Sequence, residues 1–176
     1  MEKNRHSKIV AINTEITGKI FVVVVISLLI FAATLIKVPF YPVPFTLQTL
    51  ALPLICFFSS RKRVLQGLAL FAVYRILQSG HEFLLTSGYV AGFFPMACIL
   101  TLKHSGSILK LFGKILAAQI IVLLLGALTL SLFIGPKQAF ACGFLFFVPA
   151  EILKALIAAG LYNLVPPRFK NFPMER

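Results

Sequence analysis

Apolar residues run through this chain in long stretches, separated by short breaks that hold most of the prolines, glycines and basic residues. The run over 20–36 is close to the roughly 20 residues that cross a bilayer as a helix, and it predicts helix 1. A polar basic tail, 1–14, with Lys3, Arg5 and Lys8, precedes it. Such a tail before an apolar run also suits a cleaved signal peptide, but the run is about span length and further spans follow, which favours a retained helix. Helices 2 to 5 are predicted over 45–58, 64–77, 88–102 and 111–134, with 78–87 as a loop. Arg61-Lys62-Arg63 ends the second helix and Gly135-Pro136-Lys137 closes the fifth. Helices 2 and 3 are short for a straight span, so one of them is expected not to cross at full length. The last stretch, 139–165, is longer than a span needs, and Pro149 divides it. Proline suits the first position of a helix, so helix 6 is predicted from Pro149 to Val165, before Pro166-Pro167 stops it.

The segment between helices 1 and 2 departs from this pattern. Pro39, Pro42 and Pro44 each remove a backbone N–H and fix φ, which forbids a regular helix. The residues before them, Val38, Tyr41 and Val43, are pushed to extended geometry, so the loop is stiff. Thr46, Gln48 and Thr49 follow in an otherwise apolar context. Two readings compete: a rigid turn between helices, or a ligand lid, since irregular backbone at membrane depth persists where protein buries it or it lines a cavity.

Composition sets the class. With 59% hydrophobic residues, 12% charged and a mean hydropathy of +0.96, against about 25% charged in soluble domains, the chain is an integral membrane protein. At 19.4 kDa it forms one bundle with no length left for a soluble catalytic or nucleotide-binding domain. The net charge of +12 does not point to nucleic acid, because the basic residues cluster between apolar runs, where topology and the anionic membrane surface account for them. Cys56, Cys98 and Cys142 lie inside apolar runs without CxxC spacing and read as small core residues. The tail with Lys19, the Arg61-Lys62-Arg63 turn, Lys103, Lys110 and Lys114, and Arg168, Lys170 and Arg176 fall on one side; Lys37, Arg75 and Lys137 fall on the other. The positive-inside rule then predicts an all-α integral membrane bundle of six transmembrane helices with both termini cytoplasmic. The proline loop, the 78–87 loop and the start of helix 6 come out on the external face.

Helix 6 carries the chemistry. Glu151 and Lys154 share a helix face and are the charges within an apolar segment. A lone charge at the bilayer centre costs about 2.5–3.5 kcal/mol on insertion scales, so such residues pair or face a cavity. They read either as a structural ion pair, with Glu151 favoured by the helix N-terminus, or as a polar clamp in an apolar pocket. Tyr89, after Gly88, offers an aromatic face with a polar tip; interface anchoring is the competing role. No Walker-type GxxxxGK[ST], HExxH or GxSxG occurs, and His6, His81 and His104 are scattered, so no enzyme is expected.

Three stretches resemble one known family. Val43-Pro44-Phe45-Thr46-Leu47-Gln48-Thr49-Leu50 is similar to the VP-hydrophobe-TLQTL signature of the biotin-specific S component (BioY family) of energy-coupling-factor transporters. Leu85-Thr86-Ser87-Gly88-Tyr89-Val90-Ala91-Gly92-Phe93 resembles the family's PTGGY-hydrophobe-x-GF, with Leu85 in place of proline and Ser87 in place of the first glycine. Pro149-Ala150-Glu151-Ile152-Leu153-Lys154 resembles Pro-small-Asp-x-x-Lys, with glutamate for aspartate. The resemblance implies that the chain, 1–176, is a single multi-pass substrate-binding domain in the cell membrane that captures biotin at the external face for uptake. Glu151, Lys154 and Gln48 match the ureido edge of biotin, Tyr89 its ring, and Arg75, with His81 behind it, the tail carboxylate, although Arg75 also reads as an interface anchor. Thr46, Ser87 and Gly88 complete the expected ligand set: glycine admits a ligand close to the backbone, and Ser87 narrows the pocket or adds a hydroxyl.

The resemblance further implies two ATPase subunits and a transmembrane coupling subunit, which family members contact through small residues spaced four apart on helix 1. Here the matching region, 21–29, is rich in valine, with Ser27 as its one small residue. The alternatives are an S component for another small vitamin and a small non-transporting membrane scaffold.

Overall fold

The structure, a computed structural model, describes residues 2–40, 43–102 and 107–166, with side chains described from residue 16 onward except 79–82. Among the described residues there are six α-helices and one two-stranded hairpin. Helix α1 (Glu2–Leu35) begins earlier than predicted, because the basic tail continues the helix instead of preceding it. Strands β1 (Lys37–Val38) and β2 (Phe45–Thr46) pair antiparallel, Lys37 opposite Thr46 and Val38 opposite Phe45. The proline stretch forms the far end of this hairpin, with Tyr41 and Pro42 outside the described residues. Helix α2 (Gln48–Phe58) therefore starts three residues later than predicted, since Phe45 and Thr46 are spent on the strand pair.

Helix α3 (Arg61–Leu100) corrects the sequence expectation most. It is one helical run of 40 residues, which would be about 60 Å long if straight, twice the roughly 30 Å hydrocarbon core. It is not straight. Arg75 donates to Thr86 Oγ1 at 3.4 Å, whereas a straight helix would separate them by about 16 Å along its axis, beyond the reach of one side chain. The run folds back between these residues. Its first limb packs on α1, Gly67 against Ile26 and Tyr74 edge-on to Phe31, and its second on α4 (Ile108–Ile134), Gly92 against Val122 and Gly88 against Thr129. The two limbs are the predicted helices 3 and 4, but the predicted loop over 78–87 turns without leaving the helical state.

Gly135, at φ +83°, ends α4 where the Gly-Pro-Lys signal places the stop. Helix α5 (Pro136–Phe140) runs into a π-helical turn (Ala141–Leu145), and α6 (Val148–Leu164) opens with Pro149 in its first turn. Four stretches, Ile16–Leu35, Phe83–Leu100, Ile108–Ile134 and Pro136–Leu164, are long and apolar enough to cross a bilayer; α2 is apolar but, at 11 residues, short. The predicted helices 2 and 3, that is α2 and the first limb of α3, are the two that fall outside these four stretches.

Lipid tails are as apolar as leucine, so helix association in a membrane relies on close packing, favoured by small residues. The core follows that rule. Ala118 of α4 and Ala155, Ala158 and Ala159 of α6 are buried alongside Leu52, Phe71, Met96 and Ile115. Leu28, Leu77, Leu128 and Leu132 point outward. A Cβ on Gly92 would lie 2.7 Å from the Cα of Val122, a backbone atom that cannot swing aside, while a Cβ on Gly160 meets nothing within 4 Å. Gly92→Ala is expected to lower thermal stability in detergent, overpacking by about 1–3 kcal/mol. Gly160→Ala should leave stability unchanged or raise it by up to about 1 kcal/mol through helix propensity. Equal melting temperatures for the two variants would show that the α3–α4 contact tolerates the extra carbon.

Candidate ligand-binding site

The bundle encloses an open cavity of about 1130 Å³, bounded by the end of α1, the hairpin, the start of α2, both limbs of α3, α4, Phe147 and α6. Its floor is set by a proline. Pro53 lies inside α2 and brings no N–H to the carbonyl four residues back, that of Thr49. Gln119 of α4 supplies the missing donor: its Nε2 donates to Thr49 O at 3.0 Å. The first turn of α2 is thereby tied to α4, and the Thr49 hydroxyl is held between two residues of α6. It donates to Glu151 Oε1 at 2.9 Å and accepts from Lys154 Nζ at 3.0 Å.

Lys154 also donates to Glu151 Oε1 at 2.6 Å and to Thr46 O at 2.8 Å. An ammonium has three protons, and all three are committed. Glu151 is 1% exposed and Lys154 9%, so the pair is held away from solvent and must be completed by neighbouring hydrogen bonds. Glu151 Oε1 accepts two of these bonds, whereas Glu151 Oε2 is buried with no partner, as is Gln119 Oε1. A buried carboxylate oxygen without a donor is costly. Here it belongs to a residue that lines a cavity.

Aromatic rings form one wall. Phe45 stacks on Phe147 with centroids 4.2 Å apart, and Phe40 meets Phe45 edge-on at 5.2 Å. The hairpin is thus clasped to the turn before α6. Tyr89 lies against Gly126 and Gly143, where any side chain would displace its ring, and its hydroxyl donates to Gly143 O at 2.7 Å in the π-helical turn. Val90, Phe93, Val122 and Leu123 complete the apolar lining.

Of the eight ligand residues expected from sequence, Thr46, Gln48, Arg75, Tyr89, Glu151 and Lys154 line this cavity. Ser87 and Gly88 do not. The Ser87 hydroxyl bonds back to its own helix, donating to Leu84 O at 2.8 Å, and Gly88 packs against α4. The side chain of His81 lies outside the described residues. Lys154 is a framework residue as much as a ligand donor, because its protons are already engaged. Thr46 Oγ1 donates to Gln48 Oε1 at 3.0 Å, which leaves the amide protons as the contribution of Gln48. The sequence marks Thr49 only as a polar residue after the proline loop, Gln119 not at all, and Lys37 only as a basic residue on the external side. Pro53 four residues after Thr49 was the available signal for the first two; Lys37 becomes visible only when β1 pairs with β2.

Residues 3–171 match the model of the BioY family. The chain is 29% identical over 175 residues to a protein of Rickettsia prowazekii (strain Madrid E) described as a probable biotin transporter BioY, covering 92% of this chain and 90% of that protein. Its fold is similar to that of a solved S-component for biotin from an ECF-type ABC transporter, with a TM-score of 0.69 at 17% identity over 85% of this chain and 90% of that one. With the family match running from the basic tail past the end of α6, the chain belongs to the BioY family.

Proposed function

We propose that this protein is the substrate-binding membrane subunit that captures biotin from the external side for uptake into the cytoplasm. The observation that carries the reading is Glu151 Oε2, a buried carboxylate oxygen without a partner, on a residue that lines a cavity with largely apolar walls. A cyclic urea offers two N–H donors and one carbonyl acceptor on one edge. One N–H completes Glu151, and the Gln48 amide protons meet the carbonyl. Tyr89, Phe93 and Phe147 cover the sulfur-containing ring, and Arg75 takes the tail carboxylate toward the mouth.

Membership of the BioY family and four stretches long and apolar enough to cross a bilayer support a multi-pass membrane protein, and the proposal gives it a transport role without catalysis. The cell membrane as its location, cytoplasmic termini, and work with a coupling subunit and two ATPase subunits belong to the proposal. Ser27, the small residue of the helix 1 stretch, is 7% exposed and turned into the bundle, so the outward face there is Phe21, Val24 and Leu28. Any coupling subunit then meets bulky side chains on α1 instead of a close backbone approach.

Isothermal titration of the purified protein against biotin and a panel of other small vitamins tests the reading; tight binding of biotin alone is expected, and preference for another vitamin overturns it. Glu151→Gln keeps the shape of the side chain and removes the charge. Losing one member of a desolvated charged pair costs about 2–5 kcal/mol, so biotin affinity should fall roughly thirtyfold or more. An unchanged dissociation constant beside a lowered melting temperature would make the pair structural only.

Ligand contacts at Thr46 and Gln48 should also steady the hairpin. Amide exchange over residues 40–48 is expected to slow when biotin is added, as contacts hold down local opening. Equal exchange with and without ligand would identify the proline loop as a rigid turn.

A further inference from the structure

The cavity is not evenly charged. Its floor holds the compensated pair Glu151 and Lys154, while two further cations, Lys37 and Arg75, line the same cavity nearer solvent: Lys37 is exposed and Arg75 half-buried. Among the described residues neither has a carboxylate within salt-bridge distance. Local acids are scarce, since the 176-residue chain has five Asp and Glu in all. Lys37 is directed by the hairpin. It stands directly opposite Thr46, and opposed residues of an antiparallel pair project from the same face. Thr46 lines the cavity, so Lys37 is carried to it as well. Arg75 makes a long hydrogen bond, 3.4 Å, to Thr86, which leaves most of its five donors for other partners.

We propose that Lys37 is a specificity-determining residue: with Arg75 it forms a two-cation mouth that selects ligands with a free carboxylate and rejects the same ring system carrying a neutral, amide-linked tail. The inference rests on the biotin reading and deepens it. An apolar-walled cavity whose outer end carries two positive charges without a carboxylate partner among the described residues suits a molecule that is neutral at one end and anionic at the other. An amide-linked ligand leaves both cations without a counter-charge and adds bulk where the hairpin closes on the ring system. Because Lys37 sits on the hairpin and Arg75 on α3, a carboxylate between them also bridges the two elements.

The test is titration of the full-length protein in detergent with biotin and with biotin amide, for the unaltered chain, Lys37→Met, Lys37→Arg and Arg75→Met, with melting temperatures beside each. The unaltered protein should favour biotin by about tenfold or more, the difference one charge-assisted contact makes. Lys37→Met should weaken biotin about fivefold to tenfold and leave the amide unchanged. Lys37→Arg should restore the preference, and raising salt should erode it, as the pair lies near solvent. Lys37 is exposed, so its variants should melt with the parent. If the unaltered protein binds neither compound, the biotin reading fails. If it binds both equally, that reading stands and the two-cation mouth is overturned. If Lys37→Met keeps the full preference while Arg75→Met loses it, Arg75 alone reads the carboxylate and the role given to Lys37 is wrong.

Discussion

Two charges buried in a membrane bundle set the terms for the rest of this structure. Removing a carboxylate and an ammonium from water costs several kcal/mol each even after relaxation, and mutual attraction repays it only where further hydrogen bonds complete both groups. The 2.6 Å contact between Lys154 and Glu151 is accordingly embedded in a larger set of bonds. Thr49 bridges the two, Thr46 lends a carbonyl to the ammonium, and Gln119 fixes the carbonyl that Pro53 leaves free. Three segments distant in sequence are drawn together by this arrangement: the strand-to-helix junction at 46–49, the middle of α4, and the first turns of α6. Two oxygens, Glu151 Oε2 and Gln119 Oε1, stay outside the scheme. Of the two residues Glu151 lines the cavity, so its unmet acceptor is where a ligand donor gains most.

Around this polar floor the bundle is held by shape. Gly88 and Gly92 bring the second limb of α3 against α4, and Gly126 and Gly143 make room for the Tyr89 ring beside the π-helical turn. Such turns insert an extra residue into the helical ladder and recur at functional sites. Here the irregular segment gives Tyr89 its hydrogen-bond acceptor, Gly143 O, and delivers Phe147 to stack on Phe45. The glycines thus act at one remove from the cavity: they set how near the walls stand, while Tyr89, Phe93 and Phe147 provide the surface.

Much of the architecture was legible before any coordinates, and the reasons differ by element. Runs of apolar residues, Pro149 and Gly135 are local signals, and α4 and α6 begin and end close to where those signals place them. The pair Glu151 and Lys154 was visible because charge is rare in an apolar segment. The reversal within α3 was placed, as a loop over 78–87, but its helical state was not, since Gln78, Ser79 and Gly80 read as loop by composition although the backbone stays helical. Gly88 was assigned to the ligand on a sound premise, close approach, but its neighbour proved to be α4. Gln119 could not be found from its own surroundings, because its partner lies 70 residues away and is a backbone carbonyl.

The distribution of charge over depth implies an order of events for the proposed ligand. A carboxylate is the most strongly hydrated part of biotin and the most expensive to desolvate, so it is best kept at the outer end, beside the exposed Lys37 and half-buried Arg75. The urea edge, neutral and cheaper to dehydrate, can travel past the aromatic rings to Glu151. Entry tail-first would bring the carboxylate against Glu151, where like charges repel and the protons of Lys154 are already spent. In the proposed binding mode the floor rejects the wrong end by repulsion while the mouth holds the right one by attraction. Discrimination built from both an attractive and a repulsive element is more selective than either alone. With Thr46 and Lys37 facing each other across the hairpin, the same two-stranded unit serves both ends: Thr46 O holds the lysine of the floor, and Lys37 supplies charge to the mouth.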